Sequence, residues 1–557
     1  MTWSQSTPSP KTTNKSSPGS TKPCSPAKKN CNNYYWNNSP VMRRRNLRQQ
    51  MKIFQGILLV GLLLISHACS DEFLQLEPIG TQLETNFYQT EEELFEGLVA
   101  TYDVIGWQGT GGWTMEMGLL NAASDDTYAG GSDASDQPSW VAYDQFSLTP
   151  FLGPQGGLWQ KGFVGVYRAN LLLQKLDDRR DDFDPLFVER TEAELHLLRA
   201  WFYFDLVRFF ENVPLFTEPV RLSDIDNVRQ VPAAETLAQI DADLQFALGS
   251  VGLPETVPPN ELGRFTRDVA RVMQAKSIFW QNDEARMGEA ATLLDAVIGS
   301  GNYQLMENFG DIFLRENEWG PESVYEIQFS DNRPGDFGCC FISGPVQNAT
   351  EGNYNVQFFG MRDYAGPTWA AGWSFCPVSF ELADFMEGDP RFEHTIIDGN
   401  ALRAQGATYT EGFQNTDFFI KKYHPVQDNI ALDGTTFLAW GENIRAIRLA
   451  DVLLLAAEAH NRNGDDATAR QYLNRVRSRV GLQPFQGNVG GSALLDAIYR
   501  ERRMELATEG HRFFDLLRTN RAAEVLEGFR AGTHERLPIP QQELDLAQGA
   551  LVQNPGY

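Results

Sequence analysis

Leu449-Ala-Asp-Val-Leu-Leu-Leu-Ala-Ala-Glu-Ala459 begins the stretch of sequence that decides the fold. Apolar residues recur at helical spacing from Ile447 to Asn463 and again from Asp466 to Val480, and only Gly464 and Asp465 separate the two segments. Small residues on both segments allow two helices to approach closely, namely Ala456, Ala459, Ala467 and Ala469. The sequence therefore predicts an antiparallel helical hairpin with a short connection.

This hairpin resembles a tetratricopeptide unit, in which helical pairs of about 34 residues stack on one another. A second pair is predicted from Thr266 to Asn282 and from Gly288 to Ser300. Earlier helices are predicted from Glu91 to Val104, with Thr90 as the N-cap, from Leu158 to Leu176 and from Thr191 to Phe210. We expect a mainly α fold built on a tetratricopeptide-like helical-hairpin scaffold.

The region from residue 330 to residue 441 has a different composition. Helical periodicity fades there, and Gly, Pro, Asn and aromatic residues dominate, while Ser323 to Phe329 just before it alternates like a strand. A long structureless stretch is unusual in a compact protein unless it is a functional region carried on a rigid scaffold. We interpret residues 330–441 as a long loop-rich, partly β insertion that carries a binding face.

The amino-terminal region divides into three parts. Residues 1–50 are rich in Ser, Thr, Pro, Asn and Lys and contain no Asp or Glu, which indicates a disordered extension or a start codon assigned too far upstream of Met51. Residues 51–68 combine a lysine, a short apolar run and small residues, which is typical of a signal peptide. The remainder is divided into an N-terminal helical region, residues 69–320, and a C-terminal region with the insertion, residues 321–557.

Cys69 directly follows the apolar run and resembles the lipidated cysteine of bacterial lipoproteins, although Ser66 stands where Leu is usual. The apolar run is too short for a membrane-spanning helix, which needs about 20 residues. An ordinary signal peptide followed by a chance cysteine is the alternative. We expect lipidation at Cys69 and attachment of the exported protein to a membrane.

The strong negative charge restricts the kinds of partner. All 73 acidic residues lie after residue 68, against 37 of the 47 Lys and Arg residues, so this part carries a net charge of −36. Nucleic-acid binding needs Lys and Arg on phosphates, and an anionic membrane surface needs the same. The charge argues against nucleic acid as a partner and disfavours docking on an anionic membrane surface.

Cysteines and histidines are too few and too scattered for a predicted metal site. The chain has 6 Cys and 7 His, with no CxxC pair and no HExxH motif. The acidic stretch from Ser124 to Asp136 lacks the residue order of a calcium loop. In an exported protein Cys376 can form a disulfide with Cys339 or Cys340, and the sequence leaves that choice open.

Six sequence motifs along the chain together form a family signature. The first motif, LRA…YF.L.R.FG..PL, is similar to the sequence from Glu194 to Phe210 and on to Val213-Pro214-Leu215. This chain has Glu211-Asn212 where Gly-Asp is common in that motif. The others run from Leu449 to Ala459 (AD.LL..AEA), Leu473 to Gly481 (LN.VR.R.G), Glu501 to Arg518 (ER..EL..EG.R.FDL.R), Leu537 to Pro540, and Gln553 to Tyr557. In this order, the six motifs resemble those of the SusD/RagB family of nutrient-binding outer-membrane lipoproteins.

The resemblance implies a binding protein, with no catalysis and no cofactor. Such proteins capture a glycan or other nutrient at the cell surface and pass it to a SusC-type TonB-dependent transporter of the outer membrane. The resemblance thus implies a lipid-anchored protein at the cell surface. Peptide capture, as in a RagB-like protein, is the alternative, and the identity of the glycan or peptide stays open.

We interpret the charged residues in the fourth motif, Glu501 to Arg518, as part of the scaffold. Glu509, Arg512 and Asp515 have a spacing suited to salt bridges on one helix face. Glu501 and Glu505 also share a face, as an acid–base pair would, but three neighbouring arginines favour ion pairing instead.

Aromatic and acidic residues in two loop regions are the candidates for ligand binding. Sugars present flat C–H faces that aromatic rings cover, and hydroxyl edges that polar side chains reach. The candidates in the loop rich in Gly and Asp and in the insertion are Trp107, Trp113, Asp125, Asp126, Tyr128, Trp140, Tyr364, Trp369 and Trp373. We expect the rings from residues 106–140 and 350–375 to converge on one shallow surface site.

Two other classes of protein remain as alternatives. An exported glycoside hydrolase needs a cleft with two carboxylates of separated pKa, and nothing in the sequence marks one. A helical-repeat scaffold that only assembles other proteins predicts that no small ligand binds. A turnover assay on mixed polysaccharides and a glycan array distinguish these classes.

The substitution Cys69→Ala tests the lipid anchor. Stable anchoring requires more than one acyl chain on the cysteine, so removal of the thiol abolishes attachment. We expect the variant to move from the membrane fraction to the soluble fraction. Retention of the Cys69→Ala variant in the membrane fraction contradicts the assignment.

Overall fold

A computed structural model of the chain describes residues 87–220, 228–331, 351–430, 438–486 and 489–557. The predicted signal segment, Cys69, Cys339 and Cys340 lie outside the described residues. Across these ranges no helix combines the length and the apolar character needed to cross a bilayer. Most of the regular structure is helical, as predicted.

The helices fall into three groups along the chain. The amino-terminal helices are α1 (Glu91–Asp103), α2 (Glu116–Ala122), α3 (Pro138–Asp144), α4 (Gln155–Asp178), α5 (Pro185–Phe210), α6 (Ala233–Gly249), α7 (Arg267–Gln281) and α8 (Met287–Gly299). The insertion contains α9 (Tyr354–Phe359), α10 (Phe380–Met386), α11 (Phe392–Thr395) and α12 (Gly399–Ala404). The carboxy-terminal helices are α13 (Leu449–Arg462), α14 (Asp466–Arg479), α15 (Ser492–Leu506), α16 (Arg512–Arg518), α17 (Ala522–Val525) and α18 (Gln541–Leu546).

Short strands and 3-10 turns complete the fold. The strands are β1 (Val213–Pro214), β2 (Gln230–Val231), β3 (Ser323–Ile327), β4 (Ile396–Asp398), β5 (Phe418–Ile420) and β6 (Ile444–Arg448), and they form the antiparallel pairs β1–β2, β3–β6 and β4–β5. The 3-10 turns are Val104–Gly106, Arg180–Asp182, Pro259–Glu261, Glu284–Arg286, Phe309–Phe313, Arg315–Asn317 and Gln427–Asn429.

The amino-terminal helices begin at residues whose side chains cap them. The side chain of Thr90 accepts a hydrogen bond from the Glu93 amide at 3.2 Å, and the Glu93 carboxylate accepts one from the Thr90 amide at 3.2 Å. Helix α5 starts earlier than the predicted Thr191, because Asp184 caps it and Pro185 fits the first turn, where no amide donor is required. Helix α5 is apolar on most of its faces and is largely buried in the core.

The predicted helical hairpin is formed by α13 and α14, which pack against each other. Asp465 caps α14 by accepting a hydrogen bond from the Thr468 amide at 3.1 Å. Helix α13 begins at Leu449 and not at Ile447, because the preceding residues pair with β3 as strand β6. Helix α13 also packs on α8 of the α7–α8 pair, so two hairpins stack as the tetratricopeptide-like scaffold predicts.

The insertion is closed at its base by the pairing of β3 with β6. Strand β3 confirms the strand predicted from Ser323 onward, although it ends at Ile327 and its three central residues are all buried. Tyr325 lies opposite Ile447. Because β3 precedes the insertion and β6 follows it, this pair brings the two ends of the insertion together. The described part of the insertion holds the short β4–β5 pair among loops and short helices, which confirms a loop-rich, partly β region.

Helix α15 and the turn after it carry buried charged side chains that are paired with distant segments. Glu501 and Glu505 form ion pairs with Arg391 of the insertion, at 2.8 and 3.0 Å. Arg448 at the end of β6 contacts Glu505 at 2.6 Å and Glu509 at 2.8 Å. The two glutamates of α15 therefore form ion pairs, as expected, but their partners are not the neighbouring arginines of the same helix.

The arginines of α15 reach two further parts of the chain. Arg502 binds Asp451 of α13 at 2.8 Å, and Arg503 binds Asp126 of the first loop region at 2.9 Å. Burial disfavours each unpaired charge by several kcal/mol, so these pairs constrain where the segments lie. Helix α15 thus connects the hairpin scaffold, the strand β6, the insertion and the first loop region.

The prediction that Glu509, Arg512 and Asp515 pair along one helix face is wrong. Gly510 has a φ of +81° and separates Glu509 from α16, which begins only at Arg512. Arg512 instead binds Asp125, 387 residues away in sequence, at 2.7 Å. Sequence spacing identified charges that need partners but not the partners themselves.

The substitution Arg448→Met tests the contribution of the buried ion pairs. Arg448 is 1% exposed, and its removal leaves Glu505 and Glu509 buried with fewer cationic partners. We expect a loss of about 3–5 kcal/mol in the free energy of unfolding, measured by urea denaturation. Arg180→Met, which breaks the more exposed pair with Glu192, is the control and should cost less than about 1 kcal/mol. Equal effects of the two substitutions contradict the role of the cluster.

Candidate functional site

The two loop regions singled out by the sequence lie side by side. The Gly131 amide donates to the Ser374 carbonyl at 2.8 Å, and the Cys376 amide donates to the Ala129 carbonyl at 3.1 Å. The Tyr128 amide donates to the Pro377 carbonyl at 3.1 Å. Residues 128–131 and 374–377 therefore run against each other as paired backbone, and they place the rings of both regions in one neighbourhood.

Gly130 permits this close approach. Its φ is +71°, in the left-handed region, and a Cβ atom there would lie 2.4 Å from the Ser374 carbonyl oxygen. No side chain fits at that distance, so the sequence needs glycine where the two loops meet. Cys376 lies beside this contact as a free, buried thiol, and its Sγ is 3.4 Å from the Gly118 carbonyl oxygen.

Rings from the two regions form one aromatic cluster. The Trp113 ring centroid lies 5.8 Å from that of Trp373, 5.8 Å from that of Tyr354 and 5.2 Å from that of Phe358. Trp140 lies 5.3 Å from Phe358. Aromatic pairs prefer such edge-to-face and tilted arrangements of their rings. The structure therefore brings together Trp113, Trp140 and Trp373, although they are far apart in sequence.

The cluster has a buried base. Trp140 is 1% exposed, and its indole N–H donates to the Trp113 carbonyl at 2.9 Å. Trp113 is 7% exposed and lies between Trp140 and the insertion. These two rings pack against the scaffold, so we place them beneath the candidate face and not on it.

Three further candidate rings are half-buried, and of these Trp373 packs on the base. Trp373 and Trp369 are both half-buried, and the Trp369 ring meets His424 edge to face at 5.1 Å. Trp107 is also half-buried; its N–H donates to Asp103 at 2.7 Å and the Arg168 guanidinium lies 5.0 Å from its ring. Each of the three rings packs against buried residues on one side and keeps part of its surface exposed.

The two candidate tyrosines occupy different environments. Tyr128 is half-buried at the junction of the two loop regions. Tyr364 is mostly buried, and its hydroxyl donates to the Pro367 carbonyl at 3.0 Å, so it stabilises the loop that carries Trp369.

Both candidate aspartates form ion pairs with arginines. Asp125 lies between Arg503 and Arg512, at 2.8 and 2.7 Å. Burial raises its pKa, but the two arginines outweigh burial, and the net shift is downward. Asp126 is almost fully buried beside Arg503, and burial raises its pKa. We therefore place both carboxylates in the scaffold below the face, where they hold the first loop region against α15 and α16.

Arg362 is a polar group at this site that the sequence reasoning missed. Its guanidinium contacts the Asp136 carboxylate at 3.4 Å and the Trp373 carbonyl at 3.1 Å, and both charged side chains are half-buried. It therefore joins the two loop regions next to a half-buried indole. An arginine inside an otherwise aromatic and glycine-rich stretch was the available signal in the sequence.

The part of the chain that the structure describes contains no group of side chains suited to binding a metal ion. No three His, Cys, Asp or Glu side chains in that part of the chain come together in a way that suits a metal ion. The acidic residues from Asp133 to Asp136 instead bind the Ser132 and Ser135 hydroxyls and backbone amides.

Comparisons with known proteins agree with this architecture. Residues 359–557 match the SusD family, and residues 88–276 match a family described as starch-binding and associating with the outer membrane. A SusD-like protein of Formosa agariphila is 26% identical over 543 residues, which cover 89% of this chain and 97% of that protein.

Two solved structures extend the comparison to the fold. A laminarin-binding SusD-like protein is 38% identical, with a TM-score of 0.76, over 84% of this chain and 99% of that one. Surface glycan-binding protein A from Bacteroides thetaiotaomicron, solved in complex with laminarihexaose, is 28% identical, with a TM-score of 0.75, over 83% of this chain and 99% of that one. From its motifs, its fold and these similarities, the chain belongs to the SusD/RagB family.

Proposed function

We propose that this protein is a cell-surface lipoprotein that captures oligosaccharide and delivers it to a SusC-type TonB-dependent transporter of the outer membrane. Family membership supports glycan binding and association with the outer membrane. Anchoring through Cys69 and delivery to a transporter are parts of the proposal. Recovery of a β-barrel protein in near-equal amount from mild detergent supports delivery, and recovery of the chain alone argues against it.

The observation that carries the proposal is that the half-buried ring of Trp373 packs on a rigid aromatic base to which both loop regions contribute. A sugar ring stacks its C–H face on an aromatic face, and its hydroxyls bind to polar groups at the edge. Trp369 and Trp373 supply half-buried rings, and Arg362 and Asp136 supply polar groups beside Trp373. The buried ring of Trp140 holds the base in place, so binding need not order the loops first.

Glucans of the laminarin type are the first ligands to test. The solved structure that is 38% identical is a laminarin-binding protein, and the structure at 28% identity contains laminarihexaose. Both cover most of this chain at similar TM-scores. We propose that the aromatic face binds such an oligosaccharide through Trp369, Trp373, Trp107 and Tyr128.

Catalysis by the acidic pair of α15 is disfavoured by its surroundings. Glu501 and Glu505 are buried and bound to arginines, and Arg391 contacts both. The arginines outweigh burial and hold the pKa of Glu505 well below its usual range. A general acid needs a raised pKa and access to substrate, so this pair fits a structural role better than glycoside hydrolysis.

The substitutions Trp369→Ala and Trp373→Ala test the face. Each removes one stacking ring, which contributes about 1–1.5 kcal/mol in aromatic contacts, so we expect about tenfold weaker binding of laminarihexaose in isothermal titration. The melting temperature should change little, because both rings are half-buried.

Two control variants separate binding from folding. Trp140→Ala removes a ring that is 1% exposed and should lower stability by about 3–5 kcal/mol. Phe246→Ala removes a ring that is 42% exposed on scaffold helix α6 and should leave affinity unchanged. If Trp369→Ala and Trp373→Ala melt early and bind normally once folded, the face lies elsewhere.

A further inference from the structure

A cavity lies inside the scaffold, apart from the aromatic face. It has a volume of about 180 Å³ and is lined by α2, α5 and α7 on one side and by β6, α15 and α16 on the other. It therefore sits between residues 88–276 and 359–557, the segments that match the two families. Ligand sites often occupy such junctions between the parts of a protein.

The size of the cavity suits one six-membered ring. A cavity of about 150 Å³ holds a benzene molecule, so the cavity has room for a sugar ring with its hydroxyl groups. Its walls include five Trp and Phe side chains, Trp201, Phe204, Phe279, Trp280 and Phe514. The Trp280 ring meets the Phe514 ring edge to face at 5.6 Å, and the Trp201 ring stacks on the Phe265 ring. These neighbouring rings fix the positions of both indoles.

The charged groups of the wall are already paired with protein partners. Lys276 binds Asp451 at 2.9 Å, and Arg502 binds both Asp451, at 2.8 Å, and Asp515, at 3.2 Å. The remaining cationic groups of the lining pair in the same way, Arg208 with Asp205 and Arg518 with Asp515. A charged ligand would find no uncompensated charge of opposite sign, whereas a neutral ligand leaves every pair intact.

Three rings on the wall carry nitrogens with unused hydrogen-bonding capacity. The indole N–H groups of Trp201 and Trp280 and the imidazole of His511 have no hydrogen-bond partner among the described residues, and none of these nitrogens is sealed off in the core. Burial lowers the pKa of His511 to about 4, so at neutral pH its ring has one donor and one acceptor. Hydroxyl groups can satisfy both roles.

We propose that this cavity is a second ligand site, which takes one neutral, polyhydroxylated ring the size of a monosaccharide. The aromatic walls cover the C–H faces of the ring, and His511 and the indole N–H groups bind its hydroxyls. The site is separate from the aromatic face and independent of the function proposed for that face.

Titration with single sugars tests the proposal. D-glucose, D-galactose and myo-inositol are titrated into the full chain, and we expect at least one to bind one-to-one with a dissociation constant near about 1 mM. D-glucuronate and D-glucosamine, similar in size but charged, should bind at least about tenfold more weakly. No binding by any neutral probe, or preference for a charged one, overturns the proposal.

A cavity-filling variant locates the site. Ala446 on β6 is half-buried and lines the cavity, so Ala446→Leu should weaken binding of the best neutral probe by at least about tenfold. Ala467→Leu is the matched control, because Ala467 is exposed on α14 and is not buried against α13 as the sequence predicted. Trp373→Ala on the aromatic face should leave this binding intact. Unchanged affinity in Ala446→Leu, or loss in Trp373→Ala, places the sugar elsewhere.

A crystal structure of the unaltered chain soaked with the best probe provides a measurement that does not depend on the folding of a variant. A sugar ring between Trp280 and His511 supports the assignment. Ordered water alone in the cavity contradicts it, and so does a sugar seen there at crystal concentration with no binding in solution.

Discussion

The pairing of buried charges on α15 is the constraint on which the rest of the structure depends. A charge removed from water costs several kcal/mol unless an opposite charge and hydrogen bonds replace the water. The partners come from four separate segments: Arg391 in the insertion, Arg448 in β6, Asp451 in α13 and Asp126 in the first loop region. Because each pair forms in only one arrangement of these segments, the pairs fix where the insertion and the first loop lie on the helical scaffold.

The aromatic face follows from that constraint. Asp126 lies between Trp113 and Trp140 in sequence, so its ion pair with Arg503 holds the segment that carries both rings. The backbone contact between Gly131 and Ser374 then joins this segment to the insertion and brings Trp373 against Trp113. A binding face made of loops loses affinity if the loops must be ordered by the ligand, and this arrangement orders them beforehand.

The sequence predicts several helices well, although not α6, and it predicts the site only in outline. Periodicity and capping residues act over a few positions, so α1, α7, α8, α13 and α14 were predicted within a few residues of their ends. Trp140 and Trp369 each stand between a small hydroxyl residue and an aliphatic residue, yet Trp140 is buried and Trp369 is half-buried. Trp140 packs on Phe358 and Phe375 of the insertion, and Trp369 packs on His424, and no local pattern records such contacts. Arg362 was missed for the same reason, since its partner Asp136 is 226 residues distant.

The central claim is that two distant loop regions form one ligand face over a scaffold held by buried charges. Amide hydrogen exchange, with and without laminarihexaose or the glycan that a glycan array selects, tests it most directly, because exchange reports local protection along the whole chain. We expect slower exchange in residues 106–140 and 351–375 together, with no change in α13 and α14. Protection of only one loop region, or protection confined to the helical hairpins, would contradict it.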